Sequence, residues 1–279
     1  MKLSVILTIH NRSPEVSQQV ADSFKLPGNE FDELVVVLDR PTDEARQGAM
    51  KAYSPLKAKG AGKKHHSIPS GWDRGPSKPL EDSGVHFTTI GIGEPGWKGP
   101  AKAWNRGFQQ ATGDLLYCIS SEVVQEEGNI DKARKAAESG NVIFGSCHNS
   151  TREALVVGAE PGLLVSSKMP RPLGFIVCMP AANVKTINGF DEDFMKGFWF
   201  DDDDFFLRLW NSGVDFQFED SIHGTHLDHT RPGLETQEGQ AKIARNRELM
   251  TQKHGNYNVW PNLDRIEHYT EGRRIWRHA

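Results

Sequence analysis

The sequence predicts an α/β protein built on a doubly wound, mostly parallel sheet flanked by helices. Short apolar runs recur at residues 3–9, 34–38 and 115–119, as expected for parallel strands buried on both faces, and residues 85–92 read as a further strand. Segments with helix-start signals and helical spacing separate them, so strand and helix alternate. Polar residues gather where three of the runs end, at His10-Asn11, Asp39-Arg40 and Ser120-Ser121-Glu122. Ligands of such sheets bind beyond the carboxyl ends of the strands.

Residues 3–9 form the first expected strand. Ser13 then reads as an N-cap, with Pro14 at the first helical position. That helix runs to about residue 25, and Pro27-Gly28 ends it. Residues 34–38 are the second strand and 42–53 the second helix. Residues 54–84 are rich in Gly, Pro, Lys and Ser and have no period, so they read as a mobile, locally positive surface insertion. A strand at 85–92, a helix at 100–111 and a strand at 115–119 follow. The second half offers strands at 142–145, 154–158 and 175–179, helices at 181–187 and 205–210, and weaker strands at 214–218 and 223–229. A polar helix at 235–254 precedes an aromatic, charged tail at 256–279, read as a packed or solvated end. The expected organisation is one domain over 1–233, with a helix and tail over 234–279 packed on it or extending from it.

At 279 residues, with 37% hydrophobic and 25% charged, the chain can bury a full core. A net charge of −4 argues against a general nucleic-acid surface, although a locally basic face is compatible with it. Cys118, Cys147 and Cys178 are too few and too odd in number for a disulfide framework. The apolar part of the N-terminus is short for a secretory signal, and no run of about 18 apolar residues marks a transmembrane segment. A cytoplasmic location is the expectation.

Three features carry chemistry. Asp201-Asp202-Asp203-Asp204 lie between aromatic flanks, just before a helical pattern. Four adjacent acids need a helix N-terminus, a cation or water to offset their repulsion. They read either as a solvated cap or as the source of a general base, whose basicity an apolar wall raises. His223, His226 and His229 read either as ordinary surface or core histidines or as ligands, since two imidazoles from one segment can chelate one first-row metal. Glu122, at a strand end, could complete that site. No His-Glu-x-x-His helix is present, which disfavours a zinc hydrolase.

Taken in order, these motifs resemble a family. LSVILTIHNR (3–12), VVVLDRPTD (35–43) and PAKAWNRGFQQATGDLLYCISSE (100–122) resemble the first half of family 2 glycosyltransferases. GFIVCMPAANVKTINGFDEDF (174–194) and FWFDDDDFFLRL (198–209) resemble the same superfamily and the catalytic segment of β-1,4-galactosyltransferases. HLDHTR (226–231) resembles the galactosyltransferase metal segment. The resemblance covers roughly residues 3–45 and 85–231 and implies a GT-A fold, Rossmann-like with a mostly parallel central sheet. It implies an inverting hexosyltransferase that uses a nucleotide-sugar donor, UDP first among the candidates, and Mn²⁺ or Mg²⁺.

Residue by residue, the resemblance places Asp39 on the uracil or ribose, and Thr8, His10 and Arg12 in the loop around the nucleotide. Lys102 and Asn105 would line the donor pocket. Glu122, His226 and His229 would bind the metal. Asp202 would be the general base; Asp201, Asp203 and Asp204 would orient acceptor or base and cap the helix. Trp199 and Phe200 would form a sugar platform. One departure stands out: Ser120 replaces the first acid of the family's Asp-x-Asp motif. That departure is the argument for the alternative, a catalytically degenerate module that binds a nucleotide sugar or glycan. The acceptor is open: a glycan, lipid-linked sugar, protein, small molecule or modified nucleobase. Lys63-Lys64-His65-His66 and Arg273-Arg274-Ile275-Trp276-Arg277 are the basic and aromatic stretches that suit an anionic one.

Overall fold

A computed structural model describes residues 1–60, 83–91, 99–151, 162–229 and 233–279. The expected strand at 154–158, most of the 54–84 insertion with its Lys63-Lys64-His65-His66 stretch, and the end of HLDHTR lie outside the described residues.

The first half follows the expected alternation. Strands β1 (Leu3–Ile9), β2 (Glu33–Asp39), β3 (Val85–Ile90) and β4 (Leu115–Ser120) alternate with helices α1 (Pro14–Ser23), α2 (Asp43–Tyr53) and α3 (Ala101–Gln110). The α1 and α2 starts are capped by Ser13 and Thr42, whose hydroxyls accept from Val16 N and Ala45 N. These strands pair in parallel in the order β3-β2-β1-β4, with β1 and β2 almost wholly buried. Gly107 lets α3 lie close on β1, because a Cβ there would press into the Ile6 side chain.

The second half continues the same sheet with mixed pairing. It contains β5 (Val123–Gln125), α4 (Asn129–Ala136), β6 (Val142–Asn149), β7 (Leu163–Val165), β8 (Ile176–Pro180), α5 (Ala181–Thr186), α6 (Asp201–Asn211) and β9 (Phe216–His226). Among the described residues the sheet, which takes in two C-terminal strands β10 (Ile266–Thr270) and β11 (Arg273–Arg277), runs β10-β11-β9-β6-β8-β4-β1-β2-β3, with β5 on β9 and β7 on β6. Two expectations change. The weak strands at 214–218 and 223–229 are one strand, β9, whose register against β6 shifts midway. The helix expected at 205–210 begins at Asp201, so the four acids form its first turn. There the exposed N–H groups and the helix dipole favour negative charge.

The C-terminal segment is structured. α7 (Gln237–His254) starts at Thr236, whose hydroxyl accepts from Gly239 N, and ends at Gly255 with φ 75°. β10 (Ile266–Thr270) and β11 (Arg273–Arg277) form a hairpin, and β11 pairs antiparallel with β9, extending the main sheet. Trp276 is buried against Phe216 and Phe218. Cys118, Cys147 and Cys178 are free, buried thiols on β4, β6 and β8, three neighbouring strands at the centre of the sheet. Among the described residues no helix is long and apolar enough to cross a membrane.

Candidate active site

The carboxyl ends of β1, β2 and β4 open into a cleft of about 230 Å³. Thr8, His10, Arg12 and Asp39 line one part of it, Ser120, Ser121 and Glu122 its floor, and Gly174, Trp199, Asp201 and Asp202 the far wall. The α3 residues Ala103 and Trp104 complete it. Residues from six separate stretches of sequence thus meet at one place, where the parallel strands end.

Glu122 is the hub. Its Oε2 accepts from Arg12 Nε at 3.1 Å and from the Ser121 hydroxyl at 2.8 Å. Its Oε1 faces His226 Nε2 at 3.5 Å and His229 Nε2 at 3.4 Å. Burial pushes this carboxyl up, but the two histidines and Arg12 outweigh it and hold it well below the usual range. His226 is fixed by the backbone: it ends β9, pairs with Val123 and Asn149, and its carbonyl accepts from Ser150 N. Leu227 N donates to the Glu122 carbonyl, tying the histidine segment to the strand end that carries the acid.

The ligand atoms of Glu122, His226 and His229 all lie within 4.8 Å of one another. Adjacent ligands of a first-row divalent ion stand roughly 3 Å apart, so the set closes on an ion with small rotations. Two imidazoles and one carboxylate suit a divalent first-row ion, and one carboxylate oxygen is directed at both histidines while Arg12 and Ser121 secure the other. The residues present therefore fit a divalent metal.

Asp202 sits across the cleft. Its Oδ2 accepts from Gly174 N at 3.0 Å, and a Cβ at 174 would lie 3.2 Å from Oδ1, a contact the carboxyl would have to shift to relieve. The Ser120 hydroxyl donates to the Gly174 carbonyl at 3.2 Å. The residue that replaces the expected first acid thus steadies the strand end beneath Asp202. Burial, then the charge of Asp201, raise the Asp202 carboxyl; burial likewise raises Asp201.

Asp39 also lines the cleft and is buried, with Arg40 NH1 bonded to both its oxygens at 2.6 and 2.8 Å. His10 Nδ1 lies 2.7 Å from the Asp39 carbonyl. Trp199 is 51% exposed and, like Phe200, has a left-handed backbone, φ 65° and 66°. Two successive non-glycine residues there are strained and persist only if their surroundings fix them.

Other expected site residues stand elsewhere. Lys102 faces a second cavity with Asp191, Glu192 and Lys196. Asn105 brackets Phe190, accepting from its N–H at 2.7 Å and donating to its carbonyl at 2.9 Å. Phe200 packs edge-on to Tyr257, Asp203 accepts from Trp260 Nε1 at 2.6 Å, and buried Asp204 binds Arg208 and His254. The helical period explains this: of four successive acids in one turn, only the first two face the cleft. Gly174 and Trp104 line the cleft without having been given a role from the sequence. Gly174, directly before an apolar run, was the one with a readable signal.

Residues 163–230 match a family described as the N-terminal domain of galactosyltransferase. No curated protein sequence matches the chain. Among solved structures, TarS 1–349 of S. aureus superposes with a TM-score of 0.52 at 17% identity, over 82% of this chain and 59% of that one. The same protein in complex with UDP-GlcNAc gives 0.56 at 14%, over 90% and 67%. A mannosyltransferase of Pyrobaculum calidifontis, in complex with GDP-Man and Mn²⁺, gives 0.57 at 13%, over 90% and 64%. The chain thus spans less than two thirds of the first of these. The fold is that of GT-A glycosyltransferases. The matched segment carries Gly174, Trp199, Asp201 and Asp202, which line the cleft, and His226 and His229, which stand against Glu122.

Proposed function

We propose that the protein transfers a sugar, with inversion, from a nucleotide-sugar donor to an acceptor hydroxyl, and that a divalent metal supports the reaction. UDP is the favoured nucleotide. The observation that carries the reading is one cleft lined by both Asp202, a carboxylate made basic by burial, and Glu122, which His226 and His229 join in a metal-ligating set.

Thr8, His10, Arg12 and Asp39 sit on or just beyond the ends of β1 and β2 and bind the nucleotide. Asp202, raised by burial and by Asp201, takes the proton from the acceptor hydroxyl. The acceptor oxygen forms its bond to the anomeric carbon as the bond from that carbon to the diphosphate oxygen breaks, on the opposite face. Gly174 N aims the Asp202 carboxyl, and Trp199 supplies an apolar surface for a sugar ring. Mn²⁺ or Mg²⁺ at Glu122, His226 and His229 would neutralise charge on the leaving diphosphate. UDP-GlcNAc and GDP-Man in the similar structures support a nucleotide-sugar donor, and Mn²⁺ in one of them supports the metal.

Calorimetric titration with UDP, with and without Mn²⁺, tests the reading. UDP should bind far more tightly with Mn²⁺, and His226→Ala/His229→Ala should erase that difference. Equal binding with and without the ion would sink the metal assignment. Failure of UDP, GDP and TDP alike would leave the degenerate-module alternative, which the Ser120 departure favours.

A further inference from the structure

The strained Trp199–Phe200 pair borders the cleft and leads directly into the helix that carries Asp202. What fixes it comes from α7, over 45 residues later in the chain. Asn246 is fully buried on α7. Its Nδ2 donates to the Phe194 carbonyl at 2.8 Å and to the Trp199 carbonyl at 2.9 Å, so one amide group clamps both ends of the 194–199 loop. Its Oδ1 accepts from Arg245 NH1 at 2.6 Å, and the same NH1 donates to the Asp193 carbonyl at 2.9 Å. Gly197, in the middle of the loop, packs against this amide: a Cβ there would collide with the Asn246 carboxamide and the Lys242 carbonyl. Phe198 N donates to that same Lys242 carbonyl at 3.3 Å.

We propose that Asn246 is a positioning residue for the transfer, its carboxamide fixing Trp199 and, through it, the acid-bearing start of α6 within the cleft. The proposal rests on the reading of Asp202 as the base. A carboxamide has the two donors and one acceptor that the site uses, and no other side chain of this size and shape supplies them. The carboxylate of Asn246→Asp would face two carbonyl oxygens with nothing to donate. Loss of the clamp would let Trp199 and Phe200 relax from φ near +65°, swinging the first turn of α6 away from the acceptor. The nucleotide end of the cleft stands on β1 and β2, which α7 does not position, so UDP binding should survive.

Asn246→Asp and Gly197→Ala attack the same junction from opposite sides and are the variants to compare. Hydrogen–deuterium exchange should quicken across residues 194–204 in both, with β1, β2 and β4 unchanged. The affinity for UDP with Mn²⁺ should stay within about twofold. On the UDP-sugar the wild type turns over, kcat should fall by about 10²-fold, the cost of misplacing a reacting group by roughly 1 Å, with KM nearly constant. Adding Trp199→Ala to Asn246→Asp should cost little more than the larger single loss, since the two act in one chain of contacts. Unchanged exchange over 194–204 would overturn the proposal, as would kcat and UDP affinity falling together. Should the wild type turn over no UDP-, GDP- or TDP-sugar, the transfer reading fails, and exchange alone still decides whether Asn246 fixes the loop.

Discussion

At the scale of single residues, the charge states of two carboxyls make opposite statements about pH. Asp202 is raised by burial and by Asp201. A carboxyl whose folded pKa exceeds its unfolded one favours the fold below the ordinary carboxylate range and loses that advantage as pH rises through the raised value. Asp202→Asn should therefore lower turnover by about 10²–10⁴-fold while leaving UDP affinity intact. In EDTA it should also melt higher than wild type at pH 9, by about 2–4 °C if the relief is worth 1 kcal/mol, with the gap closing towards pH 5. A gap that widens at low pH would contradict the environment described for Asp202. Glu122 is the reverse case. Although burial opposes it, His226, His229 and Arg12 lower its pKa, so its support for the fold is present above the ordinary carboxylate range and fades as pH falls through the depressed value. Glu122→Ala leaves Arg12 without this partner and should cost about 3 kcal/mol in urea titration at pH 7. Tightened UDP binding in that variant would speak against any metal role.

At the scale of elements, packing rather than propensity places the cleft. Gly107→Ala should push α3 off β1 and destabilise the protein by about 1–3 kcal/mol, because the added methyl meets the branched Ile6 side chain inside a full core. Urea denaturation measures it, and a neutral outcome would mean that α3 can shift outward freely. The elements nearest the nucleotide end were legible because β1 and β2 are continuous apolar runs, buried on both faces, and α1 begins with a Ser-Pro signal. The start of α6 was misplaced by four residues because a run of acids looks like a loop until the helix dipole is counted in its favour. β9 read as two strands because Glu219, Asp220 and Ser221 interrupt its apolar pattern just where its pairing with β6 slips. Of the site, Asp202 and the Glu122–His226–His229 set could be named from motifs, since chemistry restricts those residue types. Asn246 could not: one asparagine inside a polar helix carries no mark until the backbone carbonyls it serves are known.

At the scale of the whole molecule, the C-terminal segment is built into the fold. Asn246, His254 and Trp260 bond respectively to the Trp199 carbonyl, Asp204 and Asp203, so the segment grips the acid-bearing turn at three points. β11 then completes the sheet beside β9, the strand that ends in His226. The tail escaped a sequence reading because β10 is exposed along its whole length and lacks the alternation that marks a half-buried strand. Trp276→Ala should cost about 3–5 kcal/mol in urea denaturation, as for a fully buried aromatic, whereas a change under 1 kcal/mol would return the tail to the status of a loose appendage. The centre of the same sheet carries one more consequence. Burial pushes the thiols of Cys147 and Cys178 up to about 12 and raises Cys118 as well, so none offers a thiolate to a reagent at neutral pH. Iodoacetamide should leave all three untouched until β4, β6 and β8 part. The pace of alkylation then becomes a built-in clock for how often the molecule opens through its middle.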